Sequence, residues 1–263
     1  MSELDGIYEH LNELRIRGLR VVIVVGIIAV FLMTFHLEPI SYNEVLLYYP
    51  TPEPLDNIAA QLTNYFEINL VPEGVQLIQT APGQAFFSQV YIAALVGIVA
   101  SVPLIIREFA AFLKPALKEA EIKVGRTITI PSIALFISGC VFAYTLVIPY
   151  ILDFLYQYGE SAGLVTFLNI MDFVSFILQF LLAFGISFQL PLIMYAISQS
   201  GITDAKFWRK NIRYAIVAIV VFGAVITPDG SGVTMWFIAG PMIGLYLVGM
   251  FIVERKERQT IKT

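Results

Sequence analysis

The side chains in this chain that could bind another molecule are carboxylates that stand among basic residues. Glu13 lies in the run HLNELRIR, four residues before Arg17, which is the favourable order for an ion pair on a helix. Glu121 lies in a second basic segment, after Pro115. A carboxylate can bind a guanidinium through two parallel hydrogen bonds. Two interpretations stay open: a site for an arginine of another molecule, or surface pairs with neighbouring lysines and arginines.

Other kinds of chemistry have little support in the sequence. The single cysteine, Cys140, excludes a disulfide framework and a CxxC site. His10 and His36 stand 26 residues apart without an HExxH motif, so neither a metal nor another cofactor is expected. The chain has no Walker A loop and no GxSxG elbow. We therefore expect no catalytic residue and no enzymatic activity.

The composition predicts an integral membrane protein. Hydrophobic residues make up 58% of the 263 residues and charged residues only 14%, against about 25% charged residues in soluble globular proteins. Apolar runs of spanning length predict an all-α protein with six transmembrane helices in a single domain over residues 1–263. The six runs are residues 19–37, 85–106, 127–152, 173–198, 212–226 and 233–253. The first run is expected to be retained, because no small-residue cleavage site follows it.

The distribution of basic residues predicts the orientation. All 16 lysines and arginines fall in the N-terminal segment, in alternate connections and in the C-terminal tail. Because basic residues collect on the cytoplasmic side, both termini are predicted to be cytoplasmic. The cytoplasmic segments then carry a net charge of +6 and the outer segments −10. Topology accounts for this surplus of positive charge, so lipid is an expected partner and nucleic acid is not.

The long first outer loop, residues 38–84, carries two local signals. Its YYPTPEP stretch is expected to be stiff and extended, because proline fixes φ and restrains the residue before it. Apolar residues then recur at helical spacing and predict a short amphipathic helix; they are Leu55, Ile58, Ala59, Leu62 and Phe66. The alternative is a solvated loop rich in turns.

Two further features concern packing inside the membrane. Gln189 precedes Pro191 in the fourth span, and an amide at membrane depth should face the bundle interior or a wet cavity. Gln189 is either a functional polar group or a partner for carbonyls freed by Pro191. In the sixth span, Gly240 and Gly244 form a small-xxx-small face expected to allow close approach of another helix.

Four motifs together resemble the TatC family, the multispanning subunit of the twin-arginine protein translocase. They occur in the family's order and on the predicted sides of the membrane: HLNELRIR, FLKPALKEAE, FGISFQLPL and ITPDGSG. The last motif is more similar to archaeal than to bacterial members. The resemblance implies a receptor in the cell membrane for folded proteins whose signal carries an Arg-Arg pair. It also implies assembly with single-span TatA-type subunits and further copies of the chain, driven by the proton motive force.

The resemblance also implies roles for individual residues on the cytoplasmic side. Glu13 and Arg15 of the first motif and Glu121 of the second match the family's signal-recognition positions. Phe112 and Pro115 are implied to shape the loop that carries Glu121. Two carboxylates brought together at the membrane surface would bind two guanidinium groups, and lysine, which lacks a planar fork, would be disfavoured.

Other matching positions are implied to be structural or assembly-related. Pro50 and Asp229 match positions on the outer face. At one position this chain departs from many bacterial members, which place a glutamate within the fourth span where Gln189 stands here. Because an amide does not titrate, a proton-relay role is not expected at Gln189.

Two other functions compete with this interpretation. Six spans and a polar fourth span are also typical of a small-solute secondary transporter, but such proteins usually bury ionisable groups at the midplane. Here no lysine, arginine, aspartate or glutamate lies well inside a predicted span, and the nearest exception is Asp153 at an outer edge. An intramembrane enzyme would need a nucleophile with a base or a metal pair, and neither is recognisable.

Overall fold

The structure, a computed structural model, describes the greater part of the chain. The backbone is described for residues 3–42, 45–113, 119–199, 201–227 and 232–260. Within them, the side chains of residues 3–7, 9–10, 41–42, 45–46, 109–113, 119–129 and 259–260 are outside the description. The chain divides into two compact units, one formed by residues 1–112 and 152–178, the other by residues 113–151 and 179–263.

Helices dominate both units, and the predicted architecture of six membrane helices is confirmed. Five helical stretches are long and apolar enough to cross a membrane, and one apolar helix is shorter. The elements of the spans are α1 (Glu3–Thr34), α3 (Gln84–Leu113), α4 (Glu119–Phe142), α5 (Ile148–Ser161), α6 (Ile170–Ser187), α7 (Leu190–Gln199), α9 (Ile212–Ile226) and α10 (Val233–Thr260). Two shorter helices, α2 (Ile58–Leu70) and α8 (Ala205–Lys210), lie between them.

The helix ends agree closely with the predicted spans in one case and differ in another. α9 has the bounds predicted for the short fifth span. The first span was predicted to run to Leu37, and that end is wrong because α1 stops at Thr34. Residues 35–37 leave the helix and enter a strand, where Phe35 is opposite Pro52.

Short strands follow the first helix and join two distant segments of the first unit. Strands β1 (Phe35–Tyr42) and β2 (Val45–Pro52) form an antiparallel hairpin. Strand β3 (Gln76–Ile78) pairs in parallel with β4 (Phe167–Asn169). The extended conformation predicted for the proline-rich stretch is confirmed, whereas its pairing into a hairpin was not predicted.

The amphipathic helix predicted in the long loop is confirmed as α2. The Asn57 side chain caps it by accepting a hydrogen bond from the Ala60 N–H at 2.9 Å, which satisfies one of the free donors of the first turn. The helix buries Ile58, Ala59 and Phe66. Its apolar face therefore forms part of the core of the first unit.

In the second unit, helices are interrupted and closely packed. α4 continues through a π-helical turn, Ala143–Val147, into α5. The fourth span is broken between α6 and α7, and α10 packs against α7 and α9. A Cβ atom at Gly249 of α10 would lie 3.0 Å from Cα of Pro191, so α10 approaches α7 at this glycine. At Gly240 and Gly244 a Cβ atom would meet nothing within 4 Å, and the close approach predicted there is wrong within this chain.

Candidate functional site

The N-terminal half of α1 places Glu13 and Arg17 on one helix face. Residues four apart are neighbours on a helix surface, and the predicted ion pair is confirmed. Arg17 donates from Nε and Nη2 to Glu13 Oε1, at 3.0 Å and 2.6 Å. About a third of the Glu13 side chain remains exposed, so this carboxylate is both paired and accessible.

A second carboxylate, Glu108 of α3, extends this pair into a network. Its side chain is 5% exposed, and it accepts a hydrogen bond from Arg17 Nη1 at 2.8 Å and another from Arg20 Nη1 at 2.7 Å. Arg107 Nη2 lies farther away, 3.6 Å from Glu108 Oε1. A buried carboxylate is costly unless it is paired and hydrogen-bonded. Both oxygens of Glu108 are therefore engaged by guanidinium groups.

An open depression of about 320 Å³ lies beside this network. It is lined by acidic, basic, amide and apolar side chains of α1: Asn12, Glu13, Ile16, Arg17 and Arg20. Carboxylate and guanidinium groups thus meet at a surface that another molecule can reach. The chemistry available here is exchange of charge-assisted hydrogen bonds.

Among the described residues, His36, Glu53 and Asp56 form the group that could best approach a metal ion, since their ligand atoms lie within 4.8 Å of one another. Both ring nitrogens of His36 already have neighbours: Nδ1 lies 2.6 Å from the Asp56 carbonyl oxygen, and Nε2 lies 3.2 Å from Gln61 Nε2. Gln61 is held in turn by two hydrogen bonds with the Leu37 backbone. In this arrangement His36 links β1 to the start of α2 and presents no free nitrogen to a cation.

The amide of Gln189 lies at the break between α6 and α7. Its Oε1 accepts a hydrogen bond from Ser132 Oγ at 2.6 Å, and its Nε2 donates to the carbonyls of Ser132 at 3.0 Å and Gly185 at 3.4 Å. The Gly185 carbonyl belongs to the last turn of α6, where carbonyl groups lack N–H partners within the helix. The carbonyl that Pro191 leaves without a donor belongs to a residue two positions later. The geometry favours the structural interpretation of Gln189, in which the amide completes the bonding of a broken helix.

Pro50 lies in the hairpin, opposite Leu37. The neighbouring Tyr49 donates its hydroxyl to Glu38 across the two strands. The hydrogen bond to this carboxylate raises the pKa of Tyr49 above its ordinary value, and burial and the negative charge add to the effect. Pro50 is thus part of a small sheet held by backbone pairing and by a side-chain contact at the adjacent position.

A family model described as Sec-independent protein translocase protein (TatC) matches residues 9–241. The chain belongs to the TatC family. A protein named TatC from Cenarchaeum symbiosum (strain A) is 64% identical over 98% of this chain and 98% of its own length. Another from Aquifex aeolicus (strain VF5) is 31% identical over 97% and 98%. A crystal structure described as the twin arginine translocase receptor TatC matches with a TM-score of 0.74 at 27% identity, covering 93% of this chain and 98% of that one.

These matches confirm the resemblance that the four motifs indicated. The relative from Cenarchaeum, an archaeon, supports the archaeal type. The chain is a multi-pass membrane protein and a component of a protein translocase, as the TatC family is. The same family assignment agrees with the expectation that the chain is not an enzyme.

With the TatC family established, the predicted signal-recognition positions can be placed on the fold. Glu13 and Arg15 lie on α1, where Arg15 is exposed and points away from Glu13, since two residues turn about 200° around a helix. Four predicted positions lie outside the described residues or side chains: Phe112, Pro115, Glu121 and Asp229. The proximity of Glu13 to Glu121 therefore stays a prediction.

Sequence reasoning missed Glu108. The signal for it lies on α1, because Arg17 and Arg20 are three residues apart and share a helix face. Both stand where α1 becomes apolar, and Glu108, near the end of α3, supplies an acid to both guanidinium groups.

Proposed function

We propose that this chain is the receptor and core subunit of a twin-arginine translocase. It binds the Arg-Arg signal peptides of folded precursors and initiates assembly with TatA-type subunits. The observation that carries this proposal is the partly exposed carboxylate of Glu13, which already accepts two hydrogen bonds from a guanidinium beside an open depression. A site that holds a guanidinium of its own chain has the chemistry to hold one from a signal peptide. The solved relative described as a twin arginine translocase receptor supports the same assignment.

In this proposal two carboxylates, Glu13 and Glu121, each take one guanidinium of the arginine pair. Arginine is selected over lysine because its planar fork can bind both oxygens of a carboxylate, whereas an ammonium group is a point donor. Phe112 and Pro115 shape the connection that carries Glu121. Arg15 is exposed on the side of α1 that points away from Glu13 and is the third matched position of the signal site.

The surroundings of the site follow from the distribution of charge. Glu13 lies on the side that holds all 16 lysines and arginines, so we place this side and both termini in the cytoplasm. The protein resides in the cell membrane and works with single-span TatA-type subunits and further copies of itself. The proton motive force drives transport.

Residues away from the signal site have supporting roles. Gln189 holds the broken fourth span against α4 and takes no part in proton transfer, because its amide does not titrate. Pro50, within the hairpin, and Asp229, after α9, act in structure or assembly on the outer face.

Photo-crosslinking tests the proposal directly. A twin-arginine precursor with a photoreactive residue beside the arginines is irradiated with membranes containing the wild-type chain, Glu13→Ala, Glu121→Ala or both changes. Loss of charge-assisted hydrogen bonds should reduce the adduct about tenfold or more in each variant. Glu67→Ala, which removes an exposed carboxylate on α2, is the matched control and should leave the adduct unchanged. All variants should insert into the membrane normally; an undiminished adduct in the double variant overturns the proposal.

A further inference from the structure

Arg17 bridges the accessible acid and the buried acid of the charged network. Its Nε and Nη2 contact Glu13, while its Nη1 contacts Glu108. One guanidinium therefore occupies the carboxylate to which the proposed function assigns a signal arginine. A signal peptide that binds Glu13 must compete with a ligand from the receptor itself.

We infer that Arg17 is a resident competitor for the signal site, and that Glu108 is a positioning residue that retains Arg17 when an incoming guanidinium takes its place on Glu13. This inference rests on the proposed function and adds a regulation of the same site. Binding is then an exchange of one guanidinium for another, and the resident Arg17 lowers the apparent affinity of the site for any incoming cation.

Burial separates the roles of the two acids. The Glu108 side chain is 5% exposed and that of Glu13 34% exposed. Glu108 also accepts a hydrogen bond from Arg20, so it stays paired whichever way Arg17 turns. An arriving ligand can reach Glu13, whereas the charge of Glu108 is too deeply buried to serve as the exchange point.

The exchange leaves no buried charge without a partner. Before binding, Glu13 and Glu108 share Arg17. After binding, Glu13 pairs with the signal guanidinium, and Arg17 keeps the bond from Nη1 to Glu108 Oε2 that it already makes at 2.8 Å. The Arg17–Glu13 contact that is broken is partly exposed, and such contacts are weak enough to exchange.

The geometry of the resident contact favours an arginine as the displacing group. Both bonds that Arg17 donates to Glu13 end on the same oxygen, Oε1. An incoming guanidinium that spans both oxygens in a fork makes the stronger arrangement. A lysine ammonium cannot form this fork, so an arginine displaces Arg17 more readily than a lysine does.

Fluorescence anisotropy with a labelled Arg-Arg signal peptide tests the competition on the full chain in nanodiscs. Arg17→Gln removes the competitor and should tighten peptide binding about two- to fivefold, the range expected for a partly exposed ion pair. Arg209→Gln is the matched control: it makes the same charge change at a guanidinium paired with Glu254 and should leave the affinity unchanged. Arg17→Lys, which keeps the charge but loses the bridge, should also bind more tightly than wild type. If neither Arg17 variant binds more tightly, the inference is overturned.

A double-mutant cycle tests the role of Glu108. Glu108→Gln weakens the hold on Arg17 and should reduce peptide affinity about two- to fivefold. In the Arg17→Gln background the same change should have no effect, because no competitor remains to be retained. An equal loss of affinity in both backgrounds would assign Glu108 a structural role only and contradict the inference. If wild type binds Arg-Arg and Lys-Lys peptides equally, the proposed function itself fails. If wild type prefers Arg-Arg but neither Arg17 variant binds more tightly, the inference alone fails.

Discussion

The charged network on α1 and α3 and the amide contact at the break of the fourth span both satisfy polar side chains among apolar helices, but by different means. Glu108 is a charged group near the end of a span, where Arg17 and Arg20 neutralise it. Gln189 is a neutral group with three hydrogen bonds to Ser132 and Gly185. A charge is costly in the bilayer interior, whereas a satisfied amide is not.

The two regions also differ in how tightly they are packed. The Glu13 end of the network opens onto a depression of about 320 Å³. Near Gln189, helices touch at glycines: a Cβ atom at Gly139 would overlap the Phe184 carbonyl oxygen, and one at Gly185 would lie 2.7 Å from the Phe136 ring. The charged region is suited to exchanging partners, and the neutral region to holding helices in place.

The strongest test of this difference removes the buried acid. Glu108→Ala leaves Arg17 and Arg20 without their shared carboxylate, so the melting temperature in detergent should fall by roughly 5 to 10 °C. Glu108→Gln keeps a hydrogen-bond acceptor, so its melting temperature should fall much less. A melting temperature of Glu108→Ala equal to that of wild type would mean that the network contributes nothing to the fold.

The close packing near Gln189 is tested at a glycine. Gly139→Ala forces a methyl group against the backbone of α6 and should lower the free energy of unfolding by about 1 to 3 kcal/mol. Gly26→Ala on α1 is the control, because a Cβ atom there meets nothing within 4 Å; its stability should be unchanged or slightly higher. Chemical denaturation in mixed micelles measures both, and equal effects would argue against close packing as the cause.

A smaller effect is expected when the amide itself is replaced. Gln189→Leu removes the hydrogen bonds to Ser132 and Gly185 and should lower the free energy of unfolding by about 1 kcal/mol. Gln189→Glu offers a donor and an acceptor when protonated and should retain precursor transport, measured in membrane vesicles. If Gln189→Leu is as stable as wild type, packing alone stabilises the break between α6 and α7.

The smallest expected effect distinguishes the regions by their response to salt. Glu13 is partly exposed, so raising the ionic strength from about 0.1 to 1 M should weaken Arg-Arg peptide binding to Arg17→Gln several-fold, as the Debye length falls from about 10 to 3 Å. Binding to wild type should weaken less, because salt also screens the Arg17–Glu13 pair that the peptide displaces. The difference in stability between wild type and Gln189→Leu should not change over this range. A salt-independent affinity of Arg17→Gln for the peptide would exclude ion pairing as the basis of binding.

Local features of the fold were predictable from the sequence. Apolar runs indicated the six spans, and the spacing of Ile58, Ala59 and Phe66 indicated α2. The order of Glu13 and Arg17 indicated their ion pair. Each of these follows from the periodicity of a single helix.

Features that depend on two distant segments were not predictable. The pairing of Glu108 with Arg17 joins residues 91 positions apart, and the hairpin depends on the register of two strands. Gly249, rather than Gly240 or Gly244, carries the close approach to α7, because the side of α10 that faces α7 is decided by tertiary packing. The match of Glu121 to the signal site depended on family resemblance, since spacing alone favoured a surface pair.

The most direct test of the central claim maps the contacts of the signal peptide. An Arg-Arg peptide with a photoreactive residue next to the arginines is bound to the purified wild-type chain and irradiated, and the adducts are located by mass spectrometry. We expect adducts in both residues 9–20 and residues 112–126, abolished by excess unlabelled Arg-Arg peptide and unaffected by a Lys-Lys peptide. Adducts confined to one of these segments, or to residues 38–84, would contradict a receptor site in which two separated acids hold the arginine pair.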